Sequence, residues 1–367
     1  MTPEVNRPGG GPSADLRLGP DPAVRAPTIK DVARIAGVSV TTVSHVFNET
    51  RPVAADTQAR VRDAIASLGY QPSRLARALR GEPTRTLGML VTSSNNPFFA
   101  EVIHGVEERC FERGYSLILC NTGDDRDRLN AHLATLLQKR IDGLVVMTTN
   151  DDLRFFDDLS QHRDLRLVAI DTEDLDRVPV VKDDSGLGGA LAARFLVERG
   201  FRRVGALAGP LGHPRAQYRL EGFIEALAGE EPPLTLTHLL REEMSLEGGA
   251  RAMRHLLSQE GPLPEALFCM NDLIAIGALH ALHQAGLKVP QDISIIGYDD
   301  IEMAAYCQPP LTTLHQPSAD IGRSAAEALI RQVEGREAAA GVLALPPRLV
   351  KRASVGWGAA AAGGGWA

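Results

Sequence analysis

The run Thr28-Ile29-Lys30-Asp31-Val32-Ala33-Arg34-Ile35-Ala36-Gly37-Val38-Ser39-Val40-Thr41-Thr42-Val43-Ser44-His45-Val46-Phe47-Asn48 divides into two short helices joined by a tight turn. Thr28 stands where an N-cap belongs, and Val32, Ala33 and Ala36 make a small apolar face on the first helix. Gly37 can end that helix in the left-handed conformation, and Ser39 can cap the next. Val43, Val46 and Phe47 lie at i, i+3 and i+4, which predicts that the second helix buries that face. Thr41, Thr42 and His45 are left on other faces near the helix start, where a recognition helix meets base edges in the major groove. An ordinary helical hairpin is the bland alternative. The dense order of apolar, glycine and hydroxyl positions favours a DNA-binding helix-turn-helix.

Working outward, Ala54 to Leu68 carries Val61, Ala64, Ile65 and Leu68 on one face and predicts a third helix. Gly69-Tyr70-Gln71-Pro72 ends it, because Pro72 pushes Gln71 out of helical geometry. Residues 74–80 have helical propensity but form too short a segment to be stable alone. From Thr86 onward apolar runs alternate with amphipathic stretches. Buried strands are expected at Leu87–Val91, Ser116–Leu119, Gly143–Met147, Leu167–Ile170, Val204–Ala208, Ala266–Met270 and Ser294–Gly297, with helices between them. Such alternation gives an α/β architecture of parallel sheets covered by helices. Two series of similar size suggest two lobes that meet near Lys182 to Gly186, with a ligand cleft at the carboxyl ends of the strands. The expected divisions are a disordered extension over 1–26, a helix-turn-helix domain over 27–71, a linking helix over 72–82, a two-lobed domain over 83–356 and a disordered Ala/Gly tail over 357–367.

A chain of 367 residues with 44% hydrophobic and 23% charged residues has ample material for two or three globular units. It contains no apolar run of the roughly 18 residues that a membrane span needs. Met1 to Ala26 is rich in Pro and Gly and lacks the apolar core of a signal peptide. Cys110, Cys120, Cys269 and Cys307 are scattered without metal-ligand spacing, which fits reduced, structural thiols in a cytoplasmic protein. The net charge of −7 argues at first against nucleic acid, yet its distribution argues for it. Pro27 to Gly81 holds eight Lys and Arg against four Asp and Glu, so a basic head adjoins an acidic body.

These features, together with Pro72–Arg80, Gln138–Gly143, Gln291–Asp300 and Pro310–Pro317, resemble the lac repressor family of bacterial transcription regulators over Pro27 to Val355. Cys110 to Thr122 resembles the ribose-type branch of that family, with the purine-type branch next. The resemblance implies a helix-turn-helix head and hinge helix joined to a two-lobed domain like the periplasmic binding proteins. It implies that Val40, Thr41 and His45 read bases, with Asn48 and Arg51 close to the backbone. Val40 is apolar where many relatives are polar, which suits a thymine methyl. Leu79 matches the hinge-helix leucine that wedges into the minor groove, and Arg80 is a candidate phosphate contact. The implied partners are palindromic operator DNA, a second copy of the chain in a homodimer, and a small effector. No cofactor or metal is implied.

For the effector, Asn95-Asn96-Pro97-Phe98-Phe99 resembles a sugar-binding signature shared with ribose-binding proteins. A sugar needs aromatic walls for its C–H faces and polar groups for its hydroxyls. Phe98 and Phe99 match the walls; Asn96, Asp171, Arg219, Asn271, Asp299 and Gln316 match the polar positions. Taken singly each has a bland reading, such as Asp299 as a turn residue, Asn271 as an N-cap or Phe98 as core. Three positions depart from the pattern. Thr172 stands where a larger side chain is usual, Met244 where an aromatic is common, and His213 where the purine-type branch has an arginine.

Gly186-Leu187-Gly188-Gly189-Ala190-Leu191 partly matches a dinucleotide fingerprint but begins a helix without the acidic partner, and reads as helix packing. His280 and His283 share a helix without a clear third ligand. Rival classes are a secreted sugar-transport protein, which needs a signal and no DNA head, and a sugar-processing enzyme, which needs an acid–base pair. Asp171 and Asp299 could be imagined as that pair, but hydrogen bonding to hydroxyls explains them more simply. The sequence therefore points to a sugar-responsive repressor released by a pentose such as ribose, not to an enzyme. A purine-type corepressor-dependent regulator is the alternative.

Overall fold

The computed structural model describes residues 27–48, 50–70, 83–147, 155–156, 159, 165–175, 177–336 and 341–358. Residues 1–26 and 359–367 and the expected hinge helix, with Leu79 and Arg80, lie outside the described residues, while Trp357 and Gly358 of the expected tail pack against Arg199, the Gly358 N–H donating to its carbonyl at 2.8 Å.

The head is built from α1 (Ile29–Ala36), α2 (Val40–Asn48) and α3 (Ala55–Leu68). The Asp31 carboxylate accepts from the Thr28 backbone N–H at 2.9 Å and from its hydroxyl at 2.7 Å, so the first turn of α1 is tied from both sides. Gly37 takes φ 64°, and its N–H bonds back onto the end of α1, which frees the chain to turn. Ser39 Oγ accepts from the Thr42 N–H at 3.1 Å and so caps α2. Val32, Ala33, Ala36, Val43, Val46, Val61 and Ala64 form one buried cluster, with Ile65 and Leu68 half-buried against it. Phe47 departs from the sequence expectation. It is 39% exposed and takes no part in that cluster. The three-helix core is small enough that α1 and α3 close over Val43 and Val46 but do not reach Phe47, which faces outward.

Residues 83–358 carry two six-stranded sheets. The first runs β11-β5-β4-β3-β1-β2, with β1 Thr86–Val91, β2 Ser116–Asn121, β3 Gly143–Met147, β4 Arg166–Ile170, β5 Val180–Asp183 and β11 Val342–Leu345. All its pairings are parallel; Leu87 lies opposite both Leu117 and Gly143. The second runs β12-β10-β9-β8-β6-β7, with β6 Val204–Ala208, β7 His238–Arg241, β8 Ala266–Cys269, β9 Ser294–Asp299, β10 Thr312–His315 and β12 Arg348–Val350. Only β12 there is antiparallel, against β10. Helices cover the sheets: α4 (Pro97–Glu112) and α5 (Arg126–Gln138) in the first lobe, α6 (Ser185–Glu198), α7 (Pro214–Ala228), α8 (Leu246–Leu257) and α9 (Asp272–Gln284) in the second. Further on, the short α10 (Glu302–Tyr306) precedes β10, and α11 (Ser318–Val333) returns to pack on α4 and the first sheet.

The chain passes between lobes three times: after Asp183, after His315, and through Pro346-Pro347. β5, β7, β10, β11 and β12 were absent from the expected strands. Each is three or four residues long, too short to register a period, and β11 is an exposed edge. The Gly186–Leu191 run packs helices, as its sequence suggests. A Cβ on Gly188 would come within 2.2 Å of the Tyr298 hydroxyl, and one on Gly189 within 2.0 Å of the Arg219 carbonyl on α7. His280 and His283 are exposed on α9.

Candidate functional site

Ligands of parallel sheets sit where strands end and neighbouring loops diverge. Here the loops after β1 and β4 of the first lobe face those after β6, β8 and β9 of the second. Between them lies a cavity of about 250 Å³. Asn96, Phe98, Phe99, Asp171, Arg219, Met244, Asn271 and Asp299, all singled out from sequence, line it. Gln316 does not; it is fully buried behind Asp299 and donates to it at 2.6 Å. Its place is support for a lining residue, because it follows β10, one strand further along the sheet.

The bland and functional readings hold together at several positions. Asn96 caps α4 by accepting from the Phe98 N–H at 3.0 Å, and Asn271 caps α9 by accepting from the Ile274 N–H at 2.9 Å. The Phe98 and Phe99 rings lie 5.5 Å apart, tilted by 54°, and belong to the core as well as to the cavity wall. Asp171 and Asp299 hold φ 60° and 115°, left-handed conformations unusual for a side-chain-bearing residue. Such strain collects at functional sites.

Electrostatics dominate the floor. Arg219 Nη1 donates to the Met270 carbonyl at 2.6 Å and faces Asp299 Oδ1 at 3.4 Å, while its guanidinium lies 3.8 Å over the Tyr298 ring. Burial pushes the Asp299 carboxyl up to about 7, against the opposing pull of Arg219 and the Gln316 hydrogen bond. Burial likewise raises Asp171, with Arg215 opposing. His213 caps α7 and lines the cavity, and burial, aided by Arg219, pushes its pKa down to about 4, so the ring is neutral at physiological pH. Among the described residues, four buried side-chain atoms make no hydrogen bond: Asp171 Oδ1, Arg215 Nε, Arg219 Nε and Gln316 Oε1, the first two facing each other as an ion pair at 3.0 Å. All four belong to this site.

Sequence reasoning passed over Arg215, which lines the cavity at 4% exposure. A signal existed: it lies four residues before Arg219 on one helix, and so on the same face. Thr92, Asp124 and Glu243, on loops at the mouth, were also missed.

In the head, Val40, Thr41 and Arg51 are exposed, and Thr42 and His45 are half-buried. His45 Nδ1 lies 2.8 Å from Thr50 Oγ1, which orients the ring. The Asn48 side chain lies outside the described residues. Cys110 and Cys269 are buried, and burial pushes the Cys110 thiol up to about 12; Cys120 and Cys307 are half-buried, and all four are free thiols. Among the described residues no helix is long and apolar enough to cross a membrane.

Residues 28–73 match the model of the bacterial regulatory proteins of the lacI family, and residues 193–355 match a periplasmic binding protein-like domain. The chain is 44% identical to the ribose operon repressor of Escherichia coli (strain K12) over 329 residues, 89% of this chain and 99% of that one. It is 45% identical to the HTH-type transcriptional repressor PurR of Haemophilus influenzae (strain PittEE) over 312 residues, 84% of this chain and 92% of that one. The crystal structure of the lac repressor dimer bound to operator and the anti-inducer ONPF superposes with a TM-score of 0.83 at 29% identity, covering 90% of this chain and all of that one. The basic helix-turn-helix head, the paired sheets with their interlobe cavity and these similarities lead to one conclusion: the chain belongs to the lacI family of bacterial regulatory proteins, DNA-binding transcriptional repressors rather than enzymes.

Proposed function

We propose that this repressor controls a sugar-utilisation operon from the cytoplasm, as a homodimer on a pseudo-palindromic operator, and that a pentose such as ribose releases it. The observation that carries the effector is the convergence of Asn96, Asp171, Arg219, Asn271 and Asp299 beside the Phe98 and Phe99 wall, with Arg219 Nε buried and making no hydrogen bond. A buried donor left without a partner costs about 1–3 kcal/mol. A polyol seated between the lobes brings both donors and acceptors to that set as the side chains adjust, and its C–H face suits the aromatic wall. Asn96, Asn271, Asp299 and the backbone around Met244 supply the remaining contacts. The similarity to a ribose operon repressor favours the same class.

A purine corepressor is the second reading, favoured by the comparable similarity to PurR. Against it stands His213, a neutral ring in the cavity where the purine-type branch carries an arginine. We read closure of the lobes on the sugar as weakening the hold on the operator, so the sugar acts as an inducer. Calorimetry with pentoses, hexoses and hypoxanthine, with and without operator, tests this. The expected result is pentose binding that lowers operator affinity by roughly 5- to 150-fold. Tight hypoxanthine binding without pentose binding overturns it.

A further inference from the structure

Arg215 is the second residue of α7 and belongs to the second lobe, yet among the described residues its side chain finds its hydrogen-bond and ion-pair partners in the first. Its Nη2 donates to the Thr172 carbonyl at 2.9 Å, and its Nη1 donates to the Asp183 carbonyl at 3.4 Å. Nε stands 3.0 Å from Asp171 Oδ1, and Nη1 stands 3.7 Å from Asp183 Oδ1. Tyr298, also from the second lobe, donates to the other Asp183 oxygen at 2.5 Å. Arg215 and Asp183 thus form a buried knot across the hinge, one residue of which lines the effector cavity.

We propose that Arg215 is an effector-selecting residue: by clasping the first lobe it holds Asp171 in place and charged, as an acceptor for the hydroxyls of a polyol. This rests on the reading of Asp171 as an effector contact. A guanidinium stays protonated in proteins, so it is a permanent cation beside the carboxylate. An ionised carboxylate only accepts, which suits hydroxyl donors; a protonated one also donates, which suits the acceptor edge of a purine carbonyl. Arg215 therefore biases the cavity toward polyols. The charged groups facing Asp171 are Arg215, Asp183, Arg219, Lys182 and Asp299. Burial, Asp183 and Asp299 favour its neutral form, while Arg215 is the foremost of the cations opposing them. The other oxygens of the knot have their own donors: Tyr298 and Ser185 both bond Asp183.

The test uses the full-length protein and calorimetric titration with D-ribose at acidic, neutral and alkaline pH for wild type, Arg215→Ala and Arg215→Lys, with melting curves to verify folding. At neutral pH Arg215→Ala is expected to bind ribose at least about tenfold more weakly than wild type. The ratio to wild type shrinks at alkaline pH as Asp171 regains its charge, and Arg215→Lys restores most of the affinity at every pH. A ratio near one, or an equal loss at every pH, overturns the proposal; the latter marks Arg215 as a packing group only. If wild type binds no ribose, the pentose reading fails separately, and the clasp is judged by amide exchange of the unliganded protein. Arg215→Ala should then speed exchange around residues 171–173 and 183–187 and leave the rest unchanged. Unchanged exchange in those segments overturns the clasp whatever the ribose result.

Discussion

Gln316 Nε2 donates to Asp299 Oδ1 at 2.6 Å, joining the end of β10 to the end of β9 beneath the effector cavity. That bond, the 3.4 Å approach of Arg219 and a left-handed backbone together fix where the carboxylate points. Asp299 is fully enclosed, so its charge is costly, and its pKa near 7 states that cost.

The sign of the resulting pH dependence follows from linkage. An unfolded Asp titrates near about 3.9, so between roughly pH 4 and 7 the folded chain holds the extra proton. Stability from this group is therefore greatest at low pH, declines as pH rises toward 7, and levels off above it. Asp299→Asn should remove that decline from the melting temperature measured against pH. Parallel curves for the two proteins would refute the assignment.

Asp299→Ala also removes an acceptor from the proposed sugar site. Hydrogen bonds to charged groups contribute about 1.5–3 kcal/mol, so ribose affinity should fall roughly 10- to 150-fold. Normal ribose binding by this variant in calorimetry would exclude Asp299 as a contact.

The glycines of α6 divide sharply by neighbour. Gly189→Ala drives a Cβ to within 2.0 Å of the Arg219 carbonyl, a backbone atom that cannot swing aside, and should destabilise by about 1–3 kcal/mol or more. Gly186→Ala meets nothing nearer than 3.8 Å and should be neutral or stabilising by up to about 1 kcal/mol. Denaturant midpoints for the two variants measure the contrast, and equal midpoints would contradict the packing described.

On operator DNA, His45→Ala should cost roughly 1–3 kcal/mol and relax preference at one base pair per half-site. Arg80→Ala should weaken all sequences alike and flatten the salt dependence, as loss of a phosphate contact does. Binding to a panel of single-base operator variants at two salt concentrations separates the two; matching losses of specificity would refute this division of roles.

The head was readable along the chain because its signals are local. Thr28, Gly37 and the valines at 43 and 46 act within a few residues of themselves, and the structure holds them as their spacing implies, adding the bond of Thr28 to Asp31. Phe47 escaped because its exposure depends on how far α1 and α3 reach, which no spacing encodes. In the large domain, long apolar strands and amphipathic helices were legible, whereas β5, β7, β10, β11 and β12 were not. Strands of three or four residues depend on partners rather than on propensity. The candidate site follows the same division. Asn96, Asp171, Asn271 and Asp299 were named through the family resemblance, and the legible strands and helix beside them placed them at the cleft. The clasp of Arg215 on Asp171, Thr172 and Asp183, and the retreat of Gln316 behind Asp299, were decided by the tertiary structure alone. The Arg215 contacts join the lobes over 32 to 44 residues and the Gln316 contact joins two strands of one sheet over 17, and only the sheet order, set by burial of the whole core, brings these segments within reach of one another.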